Sequence, residues 1–408
     1  MSQKLPKFLN KSYLERILQQ NESDSSISVE NFECKPAVAA GNNYASQLLR
    51  TTVKYKKDGK CCDKSLIIKT VVADEEMAKV MVESGIFKKE LIMYDRILPK
   101  FQKLLKSIGD TEKLYSPAVF VDYENSTIIF NDLKQEGYEL GDRLNGCDVD
   151  HIRLLTRKIA KFHACSMILM ENGEEDFADF QEQPLKEDTP FENFFFGMFD
   201  ACVEELKTWP GYEKYVKKME KLRETFMIKS REMFVKSKTL PNVLAHGDLW
   251  VNNMMFKYNK ETRRPEDLVL IDFQVGYIGP PVIDLMYFTL TSTHLDIKLN
   301  RNWEIIAMYQ DNLAQILQKF GFKGKIPTLF EIQCQRIERQ FYEILALVAI
   351  SPVILNEQED HADLEGLVGD SLESKQFKEQ MFKNSKFIKT LKHFLPIWDK
   401  MGLLDPLH

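Results

Sequence analysis

The stretch from Val243 to Asp272 constrains the fold of this chain more than any other, because it sets a strand–turn–strand signal inside a half of the sequence patterned for helices. Two short apolar runs, Met254 to Tyr258 and Leu268 to Ile271, flank a polar turn containing Asn259, Lys260, Glu261 and Pro265, which reads as a β-hairpin. Antiparallel strands bring Asn253, where the chain enters the hairpin, and Asp272, where it leaves, to the same open end, although they are nineteen residues apart. Asp248 stands five residues before Asn253, in the loop that leads in.

Those residue types suit one kind of chemistry. Amide and carboxylate oxygens are hard ligands, so Asn253 and Asp272 point to magnesium bridging nucleotide phosphates. A carboxylate beside them, Asp248, is placed to accept a proton from an attacking hydroxyl. An Asp or Asn next to a hairpin is ordinarily a turn or capping residue, and only the joint spacing, D-x-x-x-x-N followed by a strand-borne Asp, points to phosphoryl transfer. Zinc is not expected, since the seven cysteines contain no C-x-x-C and no two histidines stand four apart.

With 408 residues, 44% of them hydrophobic and 28% charged, the chain has enough apolar material for a large core in two or more lobes. No window approaches eighteen uninterrupted apolar residues, and the opening MSQKLPKFLNKSYLERIL lacks the apolar stretch and cleavage site of a secretory signal. A cytoplasmic protein without a membrane span is therefore expected. An odd number of cysteines fits reduced thiols, with Cys61 and Cys62 read as loop residues. A net charge of −6 and no concentrated Lys/Arg block argue against nucleic acid as a partner. The densest acidic run, Glu171, Glu174, Glu175, Asp176 and Asp179, reads as a solvated loop.

The overall pattern is α+β. Leu9, Tyr13, Leu14, Ile17 and Leu18 have helical spacing. Leu49, Thr51, Val53 and Tyr55 alternate as in a strand, Asp58-Gly59 marks a turn, and Leu66 to Ile68 forms the next strand, closed by Lys69. A long helix is expected from about Asp74 to Leu105, with Val80, Phe87, Leu91, Tyr94, Leu98 and Phe101 as its apolar stripe. Glu90 falls on that stripe, and a buried carboxylate requires a partner, for which Lys69 is the nearest candidate. Strands near Ala118 to Tyr123 and Thr127 to Asn131 complete a sheet of about five strands. The junction at Asn131, Asp132 and Leu133 divides a first lobe, residues 1–132, from a second, residues 133–408. From Asp148 onward the pattern is helical, as in His151 to Leu169, Phe191 to Leu206, Pro210 to Phe234, Trp303 to Phe320 and Phe330 to Ile350, and only the hairpin is expected to interrupt it.

On these residues the chain resembles the ecdysteroid kinase-like family, also called CHK kinase-like, within the choline kinase and aminoglycoside phosphotransferase group. The segments that carry the likeness are GNNYASQLLRTTVKY (41–55), SLIIKT (65–70), FKKELIMYDRILPKF (87–101), AHGDLWVNNMMF (245–256) and IDFQVGYIGPPVIDLMYF (271–288). The resemblance implies a two-lobed protein kinase-like fold using ATP and magnesium. It makes Asp248 the base, has Asn253 and Asp272 hold magnesium, and has His246 brace the loop. Lys69 and Glu90 would position phosphates, Gly41, Asn42, Asn43 and Tyr44 would cover the triphosphate, and Asn131, Asp132 and Leu133 would meet the adenine. Asp284 matches a family Asp that anchors the catalytic loop. The chain departs from the pattern at Gly41-Asn42-Asn43, which is not a G-x-G-x-x-G, and at Asn131, where the family often has an acidic residue.

A protein substrate is not expected. Only eleven residues separate Asp272 from Asp284, no A-P-E follows, and Gly247 stands where protein kinases carry the Arg of H-R-D. The acceptor is read as a small molecule with a hydroxyl. The aromatic run Phe191, Phe194, Phe195, Phe196 and Phe199, with Trp250, belongs either to the core or to a broad apolar pocket for a steroid or lipophilic alcohol. Choline, ethanolamine or aminoglycoside acceptors form the first alternative. A non-catalytic protein that holds a hydrophobic ligand is the second.

Overall fold

The computed structural model describes residues 5–37, 46–71, 85–187, 189–357, 366–367, 369 and 371–406. Gly41 to Tyr44, Val80 and the first part of the long helix expected from Asp74 lie outside them, as does the Phe191 side chain.

Helix α1 (Lys11–Glu22) starts the fold, its first turn capped by the Asn10 side chain, which accepts from the Tyr13 N–H. Strands β1 (Ser28–Pro36), β2 (Gln47–Lys57) and β3 (Lys60–Thr70) follow. Helix α2 runs over Ile86–Ile92, passes through a π-type stretch at Met93–Ile97 and continues over Leu98–Ser107. Strands β4 (Ala118–Asp122) and β5 (Thr127–Asn131) complete a five-stranded antiparallel sheet of order β1-β2-β3-β5-β4. Cys61 and Cys62, expected in a loop, instead lie in β3, opposite Lys56 and Tyr55.

Alternation along β3 decides which residues face the site. Leu66 and Ile68 point into a core shared with α1, while Ile67 packs against the core on the opposite side. Lys69 shares the face of Ile67, towards α2. Strand β5 divides in the same way, Ile129 joining the α1 side and Ile128 and Phe130 the other.

The π-type stretch in α2 ends two residues before Pro99, and a second, Ala346–Ile350, ends two before Pro352. Proline lacks the N–H and clashes with the carbonyl four residues back, so widening the preceding turn lets each helix continue past it.

The remainder is mostly helical. Strand β6 (Tyr138–Leu140) is followed by α3 (Val149–Glu171), α4 (Pro190–Lys207) and α5 (Glu213–Glu232), then by strands β7 (Val243–Ala245), β8 (Met254–Tyr258), β9 (Pro265–Leu270) and β10 (Tyr277–Gly279). Next come α6 (Val282–Ser292), α7 (Leu295–Asn300), α8 (Asn302–Phe320) and α9 (Leu329–Glu338), with further helices Leu372–Met381 and Ser385–Lys400 near the end. The expected hairpin is β8–β9. It is not the sole interruption of the helical half, as the sequence pattern suggested: β6 pairs with β8, and β7 pairs with β10. Three-residue strands carry too little alternation to be seen in sequence.

This is the α+β arrangement that the sequence pattern predicts, an antiparallel sheet with one long helix followed by a mostly helical part that carries the hairpin. Buried Lys158, on α3, holds the hairpin to the helical body by donating to the Lys113 carbonyl at 2.7 Å and pairing with Asp267 of β9 at 2.9 Å. Among the described residues, no helix is long and apolar enough to cross a membrane.

Candidate active site

Lys69 and Glu90 meet across the gap between β3 and α2. The Lys69 Nζ lies 2.9 Å from Glu90 Oε1 and 2.7 Å from Oε2, and both side chains are almost fully buried. The same ammonium donates to Asp272 Oδ1 at 2.8 Å. Burial disfavours the charged amine, but Asp272 and Glu90 outweigh it and hold Lys69 above its ordinary value. For Glu90 burial dominates and pushes the carboxyl up, against the attraction of Lys69. Because each of these groups supplies countercharge the other lacks, their losses should not add. In a double-mutant cycle, Lys69→Met with Glu90→Gln should be little worse in kcat/KM than the poorer single variant, and full additivity would refute the coupling.

Asp272 follows β9 with a left-handed backbone, φ +65°. Asp and Asn tolerate this region better than most residues, but a non-glycine there still costs about 1–3 kcal/mol and persists where the surroundings enforce it. The enforcing contacts are Lys69 and the next residue, Phe273, whose buried ring packs on Tyr94, Phe162 and His246.

The loop before the hairpin is held from three directions. Asn253 donates through Nδ2 to the Asp248 carbonyl at 2.9 Å and to Asp248 Oδ2 at 2.7 Å, and its own carbonyl accepts from the Ile271 N–H at 3.0 Å. His246 Nε2 lies 3.1 Å from the Ile271 carbonyl, so the imidazole ties the loop to the strand leading to Asp272. Asp284 is buried on α6 and accepts the N–H groups of His246 at 2.7 Å and Gly247 at 2.9 Å, with His163 Nε2 3.1 Å away. Burial opposes its charge, but these hydrogen bonds hold the Asp284 carboxyl below the usual range. It therefore fixes the backbone of the loop rather than serving only as a helix N-terminal carboxylate.

Gly247 has a steric cause. Its φ is +82°, and a Cβ there would lie 2.3 Å from the Val275 carbonyl oxygen. The loop packs directly on the segment after Asp272, which leaves no space for the arginine of H-R-D. Tyr287, which the sequence reading did not single out, donates its hydroxyl to Asp248 Oδ1 at 2.6 Å. Asp248 itself is partly buried, and that burial raises its carboxyl above the ordinary value, against the pull of the Tyr287 and Asn253 hydrogen bonds.

Lys69, Glu90 and Asp272 stand at one end of a cleft of about 150 Å³ whose apolar walls include Leu48, Ile67, Phe130 and Met255. Asn131, Asp132 and Leu133 line the other part. The polar groups of Asp132 are committed: its carboxylate accepts from Arg50 Nε at 2.7 Å and Ser65 Oγ at 2.9 Å, and its N–H donates to the Ser65 carbonyl at 3.2 Å. The aromatic run divides, Phe199 lying in the core and Phe194, Phe195, Phe196 and Trp250 half-buried against it. Glu175, in the run expected to be solvated, is instead buried against α2, where Lys100 donates to it at 2.8 Å and Arg96 pairs with it at 3.3 Å.

Among the described residues no three His, Cys, Asp or Glu side chains converge as a metal cluster. Asn253 commits its nitrogen to Asp248, so its amide oxygen is the atom left to ligate, and Asp272 commits one oxygen to Lys69. Two hard oxygen donors fit a magnesium ion held by one or two protein groups together with nucleotide phosphates and water.

The family description that matches this sequence, Ecdysteroid kinase-like family, spans residues 40–322, more than half of the chain, and takes in all of the site just described. The chain belongs to the ecdysteroid kinase-like family. Among curated proteins none matches the sequence. Solved structures similar to it include a choline kinase from Cryptosporidium parvum Iowa II, with 13% identity and a TM-score of 0.46 over 97% of this chain and 98% of that one. Another is a Plasmodium vivax ethanolamine kinase, with 13% identity and a TM-score of 0.38 over 94% and 93% of the two chains.

Proposed function

We propose that this member of the family is an ATP- and magnesium-dependent small-molecule kinase that transfers the γ-phosphate to a hydroxyl of a lipophilic acceptor, such as an ecdysteroid or a xenobiotic. The observation that carries the reading is the convergence of Lys69, Glu90 and Asp272 at the end of a cleft that continues to Asn131 and Leu133. In this reading residues 1–132 bind the nucleotide, and residues 133–408 supply the catalytic loop and the acceptor site. A cytoplasmic location fits it.

Lys69, oriented by Glu90, would neutralise nucleotide phosphates, and Asn253 and Asp272 would hold magnesium, which when bound supplies charge neutralisation at the phosphates. Asp248 would take the proton from the acceptor hydroxyl as that oxygen attacks the γ-phosphorus, and His246 and Asp284 would keep the loop in register. Gly41 to Tyr44 would cover the triphosphate. Support for a lipophilic acceptor comes from the family to which the chain belongs, and the half-buried Trp250, two residues from Asp248, is an apolar group near the proposed base.

Incubation with ATP, magnesium and a metabolite extract, followed by mass spectrometry, tests the reading. It expects a lipophilic alcohol to gain one phosphoryl group. Phosphorylation confined to choline, ethanolamine or aminoglycosides would contradict the acceptor class, and no phosphorylated product in any extract would contradict the activity.

A further inference from the structure

Helix α6 reaches the loop before the hairpin at three points. Asp284 accepts from His246 and Gly247, and Ser292 Oγ accepts the Val251 N–H at 3.0 Å. Between these two, Tyr287 donates to Asp248 Oδ1 at 2.6 Å. Tyr287 follows Asp284 by three residues, so both fall on the face turned to the loop. Its ring is buried, between Met286 and Phe288 in a mostly apolar helix.

We propose that Tyr287 is a positioning residue for phosphoryl transfer, holding the Asp248 carboxylate in the plane from which it meets the acceptor hydroxyl. This rests on the reading of Asp248 as the base. An ionised carboxylate offers about four lone-pair sites. Tyr287 takes one on Oδ1 and Asn253 Nδ2 one on Oδ2, so the group cannot turn without losing both bonds, and lone pairs on each oxygen remain for the acceptor. The plainer account is that a buried phenol simply needs a partner. Under that account, losing the hydroxyl changes stability and leaves the chemical step untouched.

MgATP hydrolysis by the full chain separates the two, with water as the acceptor. In that reaction a water proton passes to Asp248, the water oxygen bonds to the γ-phosphorus, and the bond to the bridging oxygen breaks as ADP leaves with its electron pair. Tyr287→Phe keeps the ring and removes only the hydroxyl. It should lower kcat about tenfold, as loss of a hydrogen bond to a charged group does, with KM for ATP and calorimetric nucleotide affinity unchanged. In an Asp248→Asn background it should cause no further loss. Parental kcat in Tyr287→Phe beside a slow Asp248→Asn would overturn the positioning role and leave the base intact. Loss of nucleotide affinity in step with kcat would also overturn it, by assigning Tyr287 to the scaffold. Parental hydrolysis in Asp248→Asn, or none in the parent chain, would remove the base and the positioning role together.

Discussion

Asp248→Asn is expected to slow transfer to the acceptor at least about a hundredfold, the lower end of what loss of a general base costs, while nucleotide affinity stays near the parental value. The substitution tests proton acceptance with little disturbance of shape. Asp248 accepts from Tyr287 on one oxygen and from Asn253 on the other. An asparagine keeps one acceptor for Asn253 and turns its amide nitrogen to the tyrosine hydroxyl, which can accept as well as donate. The nucleotide contacts proposed here come from Lys69, the cleft walls, Gly41 to Tyr44, Asn253 and Asp272, and the replacement keeps the hydrogen bond that Asn253 donates to residue 248. Full turnover in this variant would show that the proton goes elsewhere.

The reading of the sequence reached most of this site because its strongest signals are local. Period-two alternation in β3 separates Leu66 and Ile68 from Ile67 and Lys69, and Glu90 stands out as a charge on an apolar helical stripe, so burial suggests their meeting and the downstream D-x-x-x-x-N motif makes it the favoured reading. The hairpin is equally visible. Strand β1 was not, because the register shift between Val29 and Asn31 breaks its alternation. Of the contacts of α6, the anchoring by Asp284 is expected from the family resemblance, but that of Tyr287 is not: Tyr287 lies far along the chain from Asp248, and sequence periodicity carries no information about such pairs. A signal is nevertheless present, since Asp284, Tyr287 and Ser292 carry polar atoms on one side of a mostly apolar helix. In the acidic run Glu171, Glu174 and Asp176 are exposed as expected, and only Glu175 is buried, because its partners, Arg96 and Lys100, belong to another element.

Asp272→Asn is expected to lower magnesium-dependent turnover by about 10² to 10³, the range found when one group that stabilises transition-state charge is removed. Asparagine is the informative replacement because it tolerates the left-handed backbone at this position, whereas alanine would combine a loss of charge with backbone strain. Two effects combine in the loss. The hard oxygen that fits a cation becomes neutral, and Lys69 is left with Glu90 as its only carboxylate partner of the present two. A magnesium titration of turnover checks this, and unchanged metal dependence would refute the assignment of Asp272.

The central claim, that this cleft binds a magnesium nucleotide for phosphoryl transfer, is tested most directly by calorimetric titration of the full chain with ATP, with and without magnesium. The account predicts saturable binding that strengthens with magnesium, is weakened at least about tenfold in Asp272→Asn, and is retained in Asp248→Asn. No binding of ATP to the parent chain under either condition would contradict it, and the cleft between β3 and the hairpin would then belong to a protein that holds a hydrophobic ligand without catalysis.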